Sequence, residues 1–364
     1  MRSFVLALFV AARAHALVHD PAVSRTHIAF IHGNQLWVVP RAGGAARPFT
    51  PTAGQKFTPR FSPDGSRLAF GSAETRGMVN LYVAAVGGGS PARVTYIPSH
   101  QFLTQWTRDD RLLFHTNSLS FSRFEMQLFT VSPRGGLPER LPLAFGSEGA
   151  IDDSGEWLAY TPQWSTLLTR NWKRYRGGAA QDIHLLNLRT HQSLRVTDWK
   201  GSDAHPMWSG STLYYLSDAG AEERMNLWSY DMRTKSRRQL THYRDLDVRD
   251  ASIGAGAIVF AYGAELHLYD LASDADRVVR VSLPAAALER DIDAGRVITS
   301  RQLVGADAFF EARGDLWLGG RNLTATGGVF EREAAISPDG KRIAYFSDAS
   351  GEYELYVQIG RAHV

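Results

Sequence analysis

The chain has no cysteine in its 364 residues, which removes thiol nucleophiles, disulfides and cysteine-ligated zinc together. It has almost no excess charge. Forty Lys and Arg against 37 Asp and Glu leave +3, too little for the blanket basic surface of a nucleic-acid-binding protein. Long apolar runs are missing too: the stretch from Phe4 to Ala12 is about half of what a bilayer-spanning helix needs. No membrane span and no nucleic-acid partner are therefore expected. No stretch holds a helical period, which argues against an α/β enzyme fold. Catalytic signatures are equally scarce, with no Gly-x-Ser-x-Gly elbow, no His-Glu-x-x-His, no P-loop and no dinucleotide fingerprint. The 12 histidines are scattered without metal-ligand spacing. Neither a metal nor a cofactor is expected, and no catalytic residue is assigned.

What the chain does have is turns and aromatics: 33 glycines and 11% Phe, Trp and Tyr suit many short strands. One decapeptide organises them. Phe61-Ser-Pro-Asp-Gly-Ser-Arg-Leu-Ala-Phe70 returns as Ile336-Ser-Pro-Asp-Gly-Lys-Arg-Ile-Ala-Tyr345. Pro sets φ for a turn, Asp bonds local amides, Gly takes the left-handed position, and an extended strand resumes. Asp64 and Asp339 are thus read as turn residues rather than as catalytic carboxylates. Worn copies run through Thr107–Phe114, Asp152–Tyr160, Ser209–Tyr215 and Gly254–Phe260, and a first copy, His27–Phe30, is read as lacking the turn. Each copy leads to a second apolar strand, such as Leu81-Tyr-Val83, and to a third piece ending in Thr, such as Arg93-Val-Thr95. Glycine runs such as Gly87-Gly-Gly89 lie between them and read as hairpin turns, not as phosphate loops.

With one more short strand leading into each turn, the unit has four strands and repeats about every 45 residues, the pattern of a propeller blade. The anchoring aromatic falls at Phe30, Phe70, Phe114, Tyr160, Tyr215 and Phe260, then at Phe310 and Tyr345. The rhythm breaks after Leu283. The predicted fold is all-β: a six-bladed β-propeller of four-stranded blades over 20–283, a linker at 284–304, and the truncated start of a second propeller over 305–358. Residues 359–364 break the third-strand pattern and read as a translated sequencing-library adapter, a non-native tail. At the other end, Arg2, the apolar run and Ala14-His15-Ala16 read as a signal peptide over 1–16, implying a periplasmic or secreted protein. The alternative is a hydrophobic first strand and a cytoplasmic protein.

The repeat is interrupted once, between Gln163 and Gly178, where Asn171-Trp-Lys-Arg-Tyr-Arg-Gly-Gly178 packs cations among aromatics. Loops on rigid scaffolds carry binding residues, and such cations take carboxylates or phosphates through charge-assisted bonds. Lys173, Arg174 and Arg176 are the candidate ligand-binding residues, with Arg123 in Ser120-Phe-Ser-Arg-Phe124 a further one. The competing reading is an inter-domain contact or a solvated loop.

The Ser-Pro-Asp-Gly repeats resemble those of TolB-type and prolyl-oligopeptidase-type propellers. Three pieces are more specific: Asn171-Trp-Lys-Arg-Tyr-Arg-Gly-Gly-Ala-Ala-Gln-Asp182, Val196-Thr-Asp-Trp-Lys-Gly-Ser-Asp203, and Phe310-Glu-Ala-Arg-Gly-Asp315 leading to Ser347-Asp-Ala-Ser-Gly-Glu-Tyr-Glu-Leu-Tyr356. These are similar to the N-terminal part of the tricorn protease family. The resemblance implies a six-bladed then a seven-bladed propeller as filters and channels for oligopeptides, ahead of a serine-peptidase core in a homo-oligomer. The family's catalytic Ser, His and Glu belong to that core, and none maps onto this chain, so a fragment without its catalytic domain is expected. In that setting the four cations would bind the peptide's terminal carboxylate. Two other readings are a stand-alone TolB-like periplasmic interaction module without catalysis, and a propeller cap on an α/β-hydrolase peptidase.

Overall fold

The computed structural model describes residues 18–49, 54–75, 78–121, 125–163, 176–178, 180–284, 287, 298–304, 307–312, 314–326 and 329–359. The signal-peptide stretch 1–16 and residues 360–364 lie outside them, as do Arg123, Lys173 and Arg174. Among the described residues every element is a strand, and no helix is long and apolar enough to cross a membrane. The chain divides into two compact units.

The larger unit contains six four-stranded antiparallel sheets among its described residues, five built from consecutive strands and the first passing over the short strand Gly44–Ala45. Their first strands are Val18–Val23, Lys56–Phe61, Phe102–Trp106, Ser147–Ile151, Asp203–Ser209 and Val248–Gly254. The middle strands are mostly buried, Leu112–Thr116 and Gln127–Val131 along their whole length, because a sheet covers each face. The outer strands run from two to five residues, and Arg47–Pro48 and Glu139–Arg140 are exposed two-residue edges, short and charged as edges that resist aggregation are.

Six apolar clusters hold the sheets together, one at each junction. Ile31 and Phe49 pack with Phe70 and Tyr82 between the first and second sheets. Leu81 packs with Phe114 between the second and third, and Leu128 with Leu158 between the third and fourth. Leu185 meets Tyr215 at the next junction, and Leu216 meets Phe260 at the one after. The sixth cluster returns to the beginning, packing Val259, Leu266 and Val279 against Val18, Ile28 and Phe30. Phe70, Phe114 and Phe260 are wholly buried, and each such side chain contributes about 1.5–3 kcal/mol.

The return junction is also clasped by backbone. Val281–Ser282 runs parallel to Gly44–Ala45, with Gly44 N–H donating to the Arg280 carbonyl (2.9 Å) and Ala46 N–H to that of Ser282 (2.8 Å). Gly43 has φ +97°, and a Cβ there would lie 2.6 Å from the Arg280 carbonyl oxygen, so the clasp requires glycine.

The turn chemistry follows the sequence reading. Ser62 Oγ donates to Asp64 Oδ1 (2.6 Å), Ser66 N–H to the same oxygen (3.0 Å), and Arg67 N–H to Ser62 Oγ (2.9 Å), with Gly65 at φ 75°. These bonds hold the Asp64 carboxyl at about 2, Ser62 contributing most. In the worn copy of the third sheet Asp110 replaces the glycine at φ 60°. The first copy corrects the reading: Ser24 keeps the serine role, its Oγ accepting from His27 N–H (3.0 Å) across a turn two residues shorter. Without Pro-Asp-Gly that turn was invisible as sequence. The recurrent Thr also gains a reason. Thr95, Thr197 and Thr241 each accept through Oγ1 from an amide in or just before the third strand, that of Leu81, Ile183 or Leu227 (2.8–2.9 Å).

The smaller unit has a four-stranded sheet, from Ile298–Val304 to Arg321–Asn322, and a three-stranded one made of Glu331–Ile336, Arg342–Ser347 and Glu354–Ile359. Phe309, Leu316 and Ala334 form its core with Ile336, Ile343 and Tyr345. The strand Ile298–Val304 occupies part of what was read as linker 284–304. A bulge between Thr299 and Gln302 interrupts its pairing and hides its period-two alternation. Likewise Ile359, read as tail, pairs through its backbone with Arg342.

Candidate functional site

The first strands of the larger unit share an irregularity. All six carry a β-bulge, where pairing with the second strand slips by one residue. In five of them one bulge residue has positive φ: Asp20 (48°), Thr58 (40°), Glu148 (46°), His205 (52°) and Asp250 (54°). L side chains rarely adopt that conformation, and it persists only where surroundings over-determine it. A bulge re-aims a side chain and frees an amide from the ladder. Here the preceding sheet captures the freed amide wherever its own bulge residue is acidic. Asp250 Oδ2 accepts from Asp20 N–H (3.4 Å), Asp20 Oδ2 from Thr58 N–H (3.5 Å), and Glu148 Oε2 from His205 N–H (2.8 Å).

These strands surround a cavity of 660 Å³, to which all six sheets contribute lining residues. Its wall carries Arg60, Glu148, His205 and His115, with Trp106 and Trp208 as aromatic surface. A cavity of this size falls within the range that ligands occupy. Arg60 donates from Nε to the Thr104 carbonyl and from Nη1 to that of Pro59, both at 2.7 Å. Burial lowers its pKa while Asp20 and Asp250 pull it back. Burial also works to raise the Asp20 carboxyl, but the hydrogen bond and charge of His19, then Arg60, hold it below its usual value. His19 is correspondingly raised: burial opposes its charge, and the bond to Asp20 with the Asp20 and Asp250 charges outweighs it. On the other side of the wall His115 Nδ1 accepts from Glu148 N–H (3.3 Å), and burial pushes this imidazole down to about 3. The wall therefore presents Arg60 within reach of the Asp20 and Asp250 charges, and a carboxylate at Glu148 beside neutral His115.

Of the residues singled out from sequence, Arg176 is the one described, and it is not among the residues that line this cavity. Arg176 Nη1 lies 2.5 Å from Asp218 Oδ2, and Asp218 is only 4% exposed. Trp199 donates from Nε1 to Asp218 Oδ1 (2.8 Å), with the Arg176 guanidinium over its ring at 5.5 Å. A Cβ on Gly201 would strike this group, 2.2 Å from Asp218 Oδ1, so Arg176 from the first of the three distinctive pieces meets Trp199 and Gly201 from the second at one anchor. Nearby, burial pushes the Asp203 carboxyl up to about 7, with Asp182 and Asp218 adding to the rise against the Ser217 and Thr197 hydroxyls. Sequence reasoning missed Arg60, Glu148 and His205. A signal was available: each positive-φ bulge residue lies four positions before its hairpin turn, and Asp20, Thr58 and His205 precede proline. Proline has no amide to orphan where the ladder slips.

Comparison with known proteins places these features. The family described as the tricorn protease N-terminal beta propeller domain matches residues 15–275. A tricorn protease homolog of Saccharolobus solfataricus is 26% identical over 72% of this chain and 24% of its own length. Tricorn protease homolog 1 of Streptomyces coelicolor is 27% identical over 90% of this chain and 32% of its own. The chain thus spans between a quarter and a third of these relatives. Among solved structures, the tricorn protease crystal structure superposes with a TM-score of 0.64 at 18% identity, covering 94% of this chain and 35% of that one. TolB from Acinetobacter baumannii reaches 0.50 at 17% identity, over 65% of this chain. At such identities the two structures speak for the fold alone.

Proposed function

The chain belongs to the tricorn protease N-terminal β-propeller family, and from that premise we propose that it is the propeller part of a tricorn-like serine peptidase, a channel or filter for oligopeptides. The six sheets are the blades of one closed ring, and residues 298–359 open a second array. Catalysis resides in a peptidase core elsewhere in the whole protein, which assembles as a homo-oligomer. The observation that carries this reading is the 660 Å³ cavity walled by all six first strands. Charged groups of both signs on its wall suit a ligand that is itself zwitterionic, with backbone donors and acceptors between its ends.

The cations Lys173, Arg174, Arg176 and Arg123 serve the same traffic by holding peptide carboxylates. The guanidinium of Arg176 is oriented by its pairing with Asp218. A labelled decapeptide with free termini, titrated into the full chain by fluorescence polarisation, should bind and remain uncleaved. Replacing Lys173, Arg174 and Arg176 together by Ala should weaken capture about tenfold, the scale of one charge-assisted contact. Absence of binding sinks the channel reading. Unchanged affinity in the triple variant returns those cations to a structural role. Cleavage by the isolated chain would contradict the assignment of catalysis to another domain.

A further inference from the structure

Glu148 differs from the other acids of the bulge series. Asp20 and Asp250 are short and meet the amide of the next sheet, and Asp20 also receives the ring nitrogen of His19. Glu148 reaches further by one methylene and is 5% exposed. One of its oxygens, Oε2, is fixed by His205 N–H at 2.8 Å. The other, Oε1, is buried and has no hydrogen-bond partner among the described residues. The residue lines the cavity between His115 and His205. Its backbone is held from the far side by the bond from Glu148 N–H to His115 Nδ1, an imidazole that burial keeps neutral. A buried carboxylate oxygen without a donor is unfavourable, and among the described residues no Lys or Arg forms an ion pair with Glu148. Arg108, which also borders the cavity, pairs with Asp153 (3.7 Å), and Arg60 donates to two carbonyls.

We propose that Glu148 is a cation-recognition point of the central cavity, its unpartnered oxygen turning towards the opening to receive a primary ammonium carried by a peptide. The inference rests on the reading of the cavity as a peptide passage, and it adds a polarity to that passage: the amino-bearing part of the ligand settles at the fourth and fifth sheets, and its carboxylate points towards Arg60 on the second. The ammonium belongs to an amino terminus or to a lysine side chain. Both offer three donors on a compact charge, and the wall supplies one oriented acceptor for it.

Three peptides separate the outcomes when titrated calorimetrically into the full chain: trialanine, its N-acetyl derivative, and N-acetyl-Ala-Lys-Ala. Trialanine should bind at least tenfold tighter than N-acetyl-trialanine. Recovery of affinity by the lysine peptide assigns the site to side chains as well as termini, and no recovery restricts it to termini. Glu148→Gln should erase the preference while leaving affinity for N-acetyl-trialanine unchanged. Glu148→Asp, which keeps the charge but shortens the reach, should reduce the preference to a fewfold and serves where the amide variant does not fold. Equal binding of trialanine and N-acetyl-trialanine by the unmodified chain overturns this inference and leaves the passage intact. A preference that survives in both variants assigns the ammonium to another group and overturns it too. If none of the three binds, the passage and the site both fail.

Discussion

The same decapeptide builds a turn in each unit, and the two copies can be laid side by side. Ser337 Oγ donates to Asp339 Oδ1 at 2.6 Å and Arg342 N–H to Ser337 Oγ at 2.9 Å, the distances found at Ser62, Asp64 and Arg67. Gly340 at φ 70° matches Gly65 at 75°. The strands that leave the turns do not match. Leu68 and Phe70 are wholly buried, whereas Ile343 and Tyr345 are half-buried, and Leu355 on the neighbouring strand is 63% exposed. Turn geometry is thus a local property, set within about six residues. Burial is a property of the neighbours: the sheet of Phe70 is covered on both faces, and the two sheets of the smaller unit share one described junction.

That contrast can be broken most sharply at the anchoring aromatic. Phe70→Ala should cost about 3–5 kcal/mol, the range for a large side chain in a core that cannot collapse. Tyr345→Ala should cost well under half of that. Urea unfolding followed by tryptophan fluorescence measures both, and equal losses would mean that neighbouring sheets do not set the difference.

A second test uses the buried acids at matched positions, Asp203 opposite Ser217 and Glu331 opposite Ser347. Burial raises both carboxyls, Asp203 to about 7. A carboxyl raised on folding keeps its proton in the folded state while the unfolded chain loses it. The stability it permits is therefore fully present at low pH, and it falls as pH climbs from about 4 to about 7. Asp203→Asn should remove that decline and leave the larger unit more stable at pH 8 by about 2–4 kcal/mol. Glu331→Gln should act in the same direction by less. Denaturant midpoints across pH 4–8 decide it, and a decline that persists in Asp203→Asn assigns it to other groups.

The smallest effect tests the likeness rather than the difference. Ser62→Ala and Ser337→Ala should each cost about 1 kcal/mol, the net worth of a hydrogen bond lost at a turn. Amide exchange at Arg67 and Arg342 should rise by similar factors in the two variants. Unequal rises would show that the turns feel their sheets after all.

Much of this architecture was legible because the repeat writes its pairing into each copy. All eight anchoring aromatics, from Phe30 to Tyr345, face a ring across the sheet: Trp37, Tyr82, Phe129, His184, Trp228, His267, Trp317 and Tyr356. Cross-strand aromatic pairs of this kind stabilise sheets, and their spacing alone located the second and third strands. The cavity wall was not legible in the same way. Arg60, Glu148 and His205 belong to different copies and are chemically unlike, so nothing repeats at the level of residue type. What repeats is a backbone slip, which composition does not record. The strand Ile298–Val304 escaped for the same reason. Of the cations proposed to bind, Arg176 was found as a residue but not as the partner of Asp218, because that pairing links the chain after the fourth sheet's second strand to the fifth sheet.

The clasp between Val281–Ser282 and Gly44–Ala45 has a consequence for how the molecule is made. Each sheet is built from strands of one continuous segment and can form as soon as that segment leaves the ribosome. The junction between the first and last sheets cannot. It waits for nearly the whole of the larger unit to be synthesised, and it closes the longest loop in that unit, the step that most slows folding. Until then the apolar face around Ile28 and Phe30 has no cover, so a nascent chain stalled before Ser282 would be the form most in need of a chaperone.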